Sequence, residues 1–230
     1  MTSALSKAGI DVLAFDLDGT LVDSVPDLNY CLGEAFESLG LARSTERDTR
    51  DWVGDGVEEL VRRGLERSVP PAEADALVST AIERFSACYA RNLYVRSRLY
   101  PGVAETLDEL RARGIRLACV TNKRLRFAEA LLAQAALLDR FELVLGGDSV
   151  PEKKPSPMLL DTAAARLGIA PDVAVYVGDS YHDMHAAQAA GWRFVWASYG
   201  YRQIPRDELV AKLTIDALPQ LAERLDELTA

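Results

Sequence analysis

The sequence predicts an α/β fold in which an open parallel sheet is interrupted, after its first strand, by an all-helical insertion. Three observations predict it. Five short apolar runs stand out, most of them nearly continuous in apolar character, as expected of strands covered on both faces. The later runs alternate with amphipathic stretches of helical length, and strand–helix–strand repetition builds right-handed crossovers. Between Val22 and Arg98 there is no convincing strand, although an ordinary crossover needs only about a dozen residues.

The elements follow in order. Ile10–Phe15 is the first run. In the interval after it, Leu28, Leu32, Ala35, Phe36 and Leu39 form one helical stripe, ended by Gly40. Val57, Leu60, Val61, Gly64 and Leu65 form a second, and Ala76–Tyr89 a third. Three helices cannot share one crossover position, so they read as a separate cap, connected near Val25–Pro26 and Tyr100–Pro101–Gly102. Beyond it, the helix Val103–Arg113 ends at Gly114, a C-cap type, before the second run, Ile115–Val120. A helix over Phe127–Leu138 leads to the third run, Phe141–Leu145. Another, Met158–Leu167, is closed by Gly168 and leads to Val173–Val177 and then Phe194–Ala197. Leu218, Leu221, Leu225 and Leu228 form the stripe of a final helix docked on the core. The reading is a Rossmann-like open parallel sheet core, residues 1–24 and 98–230, with an inserted all-helical cap domain, residues 25–97.

Composition narrows the function classes. Of 230 residues, 49% are hydrophobic and 27% charged, which excludes a disordered chain. Lys and Arg number 26 against 35 Asp and Glu, a formal net charge of −9. That average field repels nucleic acid and anionic membranes, so neither is expected as a partner, while a local pocket can still bind a small anion. No run approaches the ~18 apolar residues of a membrane span. The N-terminal stretch, broken by Lys7, Gly9 and Asp11, shows no secretory signal. Cys31, Cys88 and Cys119 are odd in number, far apart and outside any C-x-x-C pair, so they read as reduced thiols of a cytoplasmic protein. No zinc site is expected, and no protein partner is implied.

Ligands of an open parallel sheet bind beyond the carboxyl ends of its strands. The first run ends in Asp16-Leu17-Asp18-Gly19-Thr20, the second in Thr121-Asn122, and the fourth in Gly178-Asp179-Ser180 with Asp183 beyond. A loop after the third holds Lys153-Lys154-Pro155. Taken singly, Thr121, Asn122 and Asp179 suit helix N-caps and a Lys pair suits solvent. All four features nevertheless fall where the fold forms one cleft. Asp16, Asp18, Asp179 and Asp183 together are costly without a cation, and oxygen-only ligands favour Mg²⁺ over zinc. At a helix start, Asp179 and Asp183 sit about 5–6 Å apart, one binding metal and the other supporting it. Lys154, Thr121 and Asn122 add positive charge and donors suited to a phosphoryl group. Asp16 would attack phosphorus; Asp18 would protonate the leaving alcohol and then activate water.

These motifs resemble the haloacid dehalogenase superfamily: DLDGT the first motif, VTN the second, KKP the third and GDSYHD the fourth. The resemblance implies Asp16 as nucleophile, Asp18 as acid/base, and Thr121 and Lys154 as phosphate-binding catalytic residues. It implies Asp16, Asp179 and the main-chain carbonyl of Asp18 as Mg²⁺ ligands. Asp18 argues for a phosphatase, because the superfamily's true dehalogenases lack this second aspartate. LVDSVPDL, WVGDGVEELVRRGL, LYPGV, VTNKRLRFAEALL and YGYR resemble the phosphoglycolate-phosphatase type, which implies 2-phosphoglycolate as substrate. Trp52–Gly56 is similar to a cap loop that reads the substrate, through Gly54, Asp55 and Gly56, or else it is a helix N-cap turn. Arg62, Arg63 and Arg67 are candidate carboxylate partners or solvent-facing charges. Two positions depart from the family pattern: His182 replaces an Asn, and Ser156 a His. His182 reads as a tolerated polar replacement, a group behind the metal ligands or a phosphate contact; His185 reads as a helix-surface residue.

Other readings stay open at this stage. Within the fold they are a sugar or nucleoside phosphatase or a sugar phosphomutase. From another class come an acyl-phosphate receiver, which needs no cap, and a phosphate-binding protein, which leaves Asp18 unexplained.

Overall fold

Alternate residues of the central strands face opposite layers, and both layers are apolar. A computed structural model describes residues 9–201, 204–205 and 207–228. In chain order it contains β1 (Val12–Phe15), β2 (Val22–Asp23), α1 (Val25–Glu37), α2 (Glu46–Trp52), α3 (Val57–Ser68), α4 (Pro71–Tyr89) and β3 (Arg98–Leu99). There follow α5 (Val103–Ala112), β4 (Arg116–Val120), α6 (Leu125–Gln134), β5 (Leu143–Leu145), α7 (Met158–Leu167) and β6 (Ala174–Gly178). The chain closes with α8 (Tyr181–Ala189), β7 (Arg193–Ala197), β8 (Leu213–Ile215) and α9 (Pro219–Glu223).

The main sheet has six parallel strands in the order β5-β4-β1-β6-β7-β8. Leu13, Phe15, Leu117, Cys119, Val175 and Val177 join the core layer that holds α5, α6 and α9. Val12, Ala14, Ala118, Val120 and Tyr176 join the opposite layer, with α7 and α8. Because both faces are buried, these strands read as continuous apolar runs rather than alternating ones.

The structure adds elements that the sequence pattern did not show. β8 is a three-residue edge strand, too short for a periodicity. The insertion contains four helices, not three. The additional one, α2, buries only Thr49 and is defined by a capping box between Thr45 and Asp48. β2 and β3 pair antiparallel, Val22 with Leu99 and Asp23 with Arg98, where the chain leaves and re-enters the core. The helix expected over Phe127–Leu138 ends at Gln134, where Ala136 turns to φ 55°, and a 3₁₀ turn at Leu138–Arg140 follows. The closing helix is likewise split into α9 and a 3₁₀ turn, although Leu218, Leu221, Leu225 and Leu228 are all buried.

Within the insertion α4 packs on α1 and α3. Gly64 permits close packing of α3 on α1, since a Cβ there would meet the Phe36 ring at 2.7 Å. Asp27, fully buried on α1, ties down the returning segment: it accepts N–H bonds from Val95, Arg96 and Ser97 and a 2.7 Å bond from the Ser97 hydroxyl. The three cysteines are free and buried, but Cys31 and Cys88 are neighbours, their sulfurs 2.7 Å apart. Among the described residues no helix is long and apolar enough to cross a membrane. The N-terminal stretch read for a signal falls largely on residues 1–8, which lie outside the described residues, as does Arg202 of YGYR.

Candidate active site

Parallel pairing puts the carboxyl ends of β4, β1 and β6 side by side, so the residues following them converge. Asp16 follows β1, Thr121 follows β4 and Asp179 follows β6. Carboxylate oxygens of Asp16, Asp179 and Asp183 lie within 4.8 Å of one another, and all three residues are buried. Lys154 reaches this group from the loop after β5, with Nζ 3.0 Å from Asp16 Oδ1 and 2.6 Å from Asp183 Oδ1. It also donates to the Tyr176 hydroxyl at 2.6 Å.

The aspartates have different environments. Asp183 accepts from Lys154, the Tyr176 hydroxyl, and both the N–H and hydroxyl of Ser180, which fully occupies its oxygens. Ser180 is the N-cap of α8 and Asp183 completes its capping box. Asp179 therefore precedes the helix instead of sitting one turn below Asp183 on its face, as the spacing suggested. Its own oxygens accept from the Thr20 hydroxyl at 2.9 Å and the Tyr201 N–H at 2.8 Å. Gly19, at φ 89°, lets the first-motif turn approach this carboxylate; a Cβ there would lie 2.4 Å from Asp179 Oδ2. Asp16 Oδ1 faces the Lys154 ammonium without hydrogen-bond alignment and remains a buried acceptor with no hydrogen bond.

Burial pushes the Asp16 carboxyl up to about 6; the Lys154 charge opposes this, while Asp183 and Asp18 add to it. Burial, then Asp183 and Asp16, raises Asp179 well above the usual range. Burial disfavours the Lys154 charge, but Asp16 and Asp183 outweigh it and hold the ammonium protonated. Three clustered, buried carboxylates form an all-oxygen donor set that fits a hard divalent cation.

Asp18 faces a different group. Lys123 Nζ lies 2.9 Å from both of its oxygens, and the Ser24 hydroxyl donates to it at 2.5 Å. Burial opposes the Lys123 charge, and Asp18 more than restores it. A cavity opens here, with Asp16, Asp18, Thr121 and Lys123 on the core side and Gly54, Gly56, Val57 and Tyr89 on the insertion side.

The other expected residues have these places. Thr121 lines the cavity beside Asp16, and its hydroxyl accepts from Lys123 N–H at 3.3 Å. Asn122 uses its side chain as a brace: its amide donates to the carbonyls of Gly54 and Lys154, and its oxygen accepts from Lys154 N–H. Neither Thr121 nor Asn122 caps α6, whose N-cap is Arg124, without a side-chain bond. Lys153 donates to the Asp55 carbonyl. The Asp55 carboxylate turns away from the cavity to His182 Nε2, at 2.8 Å, and to Arg63. These contacts hold it below the usual carboxylate range, His182 first, against the effect of burial and with further help from Arg63. His182 thus bridges the core to the insertion, while His185 is exposed beside Tyr181. Arg62 pairs with Asp75 and Arg67 with Asp48, leaving none of the three arginines directed at the cavity. Ser156 turns its hydroxyl to Met158 N–H.

Sequence reasoning missed Lys123, Thr20, Ser24 and Tyr176. Lys123 directly follows Thr121-Asn122 at a strand end and was recognisable by that position. Tyr176 was hidden, because an apolar run gives no sign of a hydroxyl pointing at a carboxylate.

Residues 13–197 match the family profile described as haloacid dehalogenase-like hydrolase. The chain belongs to that family. Among haloacid dehalogenase-like relatives, a phosphoglycolate phosphatase of Nitrosococcus oceani is 46% identical over 191 residues, 83% of this chain and 85% of that protein. One of Nitrosospira multiformis is 42% identical over 215 residues, 93% of each chain. A crystal structure described as a predicted phosphoglycolate phosphatase from Haemophilus somnus superposes with a TM-score of 0.90 at 33% identity. It aligns with 95% of this chain and 99% of its own.

Proposed function

We propose that this chain is a Mg²⁺-dependent phosphomonoester hydrolase, acting through an aspartyl-phosphate and converting 2-phosphoglycolate to glycolate and phosphate. The carrying observation is the pair Asp16 and Asp18, two residues apart yet held in opposite settings. Asp16 sits in the carboxylate cluster with Oδ1 3.0 Å from Lys154 Nζ, and Asp18 is gripped by Lys123 and Ser24. The identities of the Nitrosococcus and Nitrosospira phosphoglycolate phosphatases over most of their lengths support the substrate.

In this reading an Asp16 oxygen attacks phosphorus, and the ester P–O bond breaks as Asp18 protonates the leaving oxygen. Asp18 then takes a proton from water, whose oxygen displaces Asp16 and regenerates the carboxylate. Lys154 and Thr121 hold Asp16 and the phosphoryl oxygens, and Asn122 keeps the Lys154 loop and the Gly54–Gly56 loop in register. Asp16, Asp179 and the Asp18 carbonyl would hold Mg²⁺, with Asp183 as support; the ion supplies charge neutralisation for the phosphoryl group. Uncatalysed monoester hydrolysis is slow enough that enzymes accelerate it by up to ~10²¹-fold, whereas general acid–base action supplies only about 10²–10⁴. Nucleophile, acid, clamp and metal must therefore act together.

Residues 25–97 are the cap over this site, and a cytoplasmic location agrees with the reduced thiols. A phosphate-release panel with and without Mg²⁺ tests the proposal. Efficient Mg²⁺-dependent release from 2-phosphoglycolate supports it. Equal turnover of generic esters refutes the substrate, and isomerisation of a sugar phosphate with little release refutes hydrolysis.

A further inference from the structure

We infer that Tyr201 is a positioning residue for Asp18: its hydroxyl holds the hinge between core and insertion so that the Ser24 hydroxyl stays on one oxygen of that carboxylate. The role rests on Asp18 being the acid and base of the proposed hydrolysis.

Ser24 is the N-cap of α1, where the chain passes from β2 into the insertion. A serine there ordinarily turns its hydroxyl onto the first N–H groups of the helix. Ser24 makes no such bond. It is fully buried, and its hydroxyl donates instead to Asp18 Oδ1 at 2.5 Å. Tyr201, four residues beyond β7, supplies the hinge with an acceptor in its place. The Tyr201 hydroxyl accepts from Ser24 N–H at 2.7 Å and Val25 N–H at 3.3 Å, and it donates to Asp23 Oδ1 at 3.0 Å. One donated and two accepted bonds fill the capacity of a phenolic hydroxyl. The residue is itself anchored on both sides. Its N–H donates to Asp179 in the core, and Arg50 of α2 lies 4.9 Å over its ring while pairing with Asp23.

The consequence for Asp18 is an asymmetry between its oxygens. Oδ1 accepts from both Ser24 and Lys123, whereas Oδ2 accepts from Lys123 alone. Oδ2 therefore keeps a lone pair with which to carry the proton given to the leaving oxygen and taken from water. Without the Tyr201 hydroxyl, the buried Ser24 N–H loses its acceptor, the hinge is released from the core, and the Ser24 bond that distinguishes the two oxygens goes with it. A carboxyl misaligned in this way protonates an alkoxide poorly. It does not hinder a leaving group that departs as a stable anion.

The test compares saturating first-turnover rates on two esters in wild type, Tyr201→Phe and Asp18→Asn. From 2-phosphoglycolate the alcohol leaves with a proton from Asp18; from p-nitrophenyl phosphate the phenolate leaves without one. Tyr201→Phe keeps the ring under Arg50 and the N–H on Asp179. It should slow the phosphoglycolate turnover about 10- to 100-fold, part of the ~10²–10⁴-fold effect of the acid itself, with little change in KM. Nitrophenolate release should stay at the wild-type rate. Combined with Ser24→Ala, it should cost nothing further, since it acts through Ser24. A merely structural hydroxyl would lower Tm and slow both esters alike, or neither. Equal loss on the two esters, no loss on phosphoglycolate, or additive loss in the double variant overturns the positioning role alone. Undiminished phosphoglycolate turnover by Asp18→Asn overturns the acid reading, and the positioning role with it.

Discussion

Replacing Lys154 by Met removes the cation from a cluster of three buried carboxylates while retaining side-chain length. Lys154 Nζ lies 3.0 Å from Asp16 and 2.6 Å from Asp183, and the three carboxylates approach within 4.8 Å. At an effective dielectric constant of about 20, two like charges at that separation repel by about 3.5 kcal/mol. Removing one partner of a buried ion pair typically costs about 3–5 kcal/mol, which for a chain of this length is ~6–20 °C in Tm. The cost is relieved when a carboxyl protonates or a divalent cation replaces the lysine. Urea denaturation of Lys154→Met in chelator should therefore show the full loss at pH 8, a smaller one at pH 5, and partial recovery with Mg²⁺. Wild-type stability at pH 8 in chelator refutes the reasoning, as does a loss indifferent to both pH and Mg²⁺.

Other outcomes follow from the same site. Asp18→Asn should lower kcat about 10²–10⁴-fold, the scale of general acid–base action, in steady-state phosphate release. Asp16, raised to about 6, binds its proton more tightly in the folded chain than in the unfolded one. In metal-free protein its stabilising contribution is full below about 4 and lost as pH rises through about 6. Mg²⁺ affinity should change oppositely, rising through that window as the ligand ionises. Melts of wild type against Asp16→Asn between pH 4 and 8, with and without Mg²⁺, measure both as differences. Gly200→Ala would place a Cβ 2.2 Å from Asp179 Cβ, so calorimetry should show weakened Mg²⁺ binding and a loss of about 1–3 kcal/mol in stability.

Much of the architecture was legible because burial on both sheet faces leaves a local trace: Ile115–Val120 and Val173–Val177 mark β4 and β6 to within a residue. β8 and α2 left none, since three residues carry no period and a helix held by a capping box needs no apolar stripe. At the site, strand-end position was the useful signal, because parallel pairing forces Asp16, Thr121 and Asp179 together. What those neighbours then do was not legible. Asn122 bonds to two loops far away in sequence, and the Asp55 carboxylate points at His182 and not into the cavity. The Gly54 and His182 contacts depend on how the insertion rests on the core, which no local pattern records.

The central claim is that Asp16 carries the phosphoryl group. Acid-quenched protein mixed with 2-phosphoglycolate and Mg²⁺, digested and analysed by mass spectrometry, tests it most directly. The account predicts a transient phosphoryl adduct on the peptide containing Asp16, absent in Asp16→Asn together with turnover. Undiminished phosphate release by Asp16→Asn, or an adduct on another residue, would contradict it.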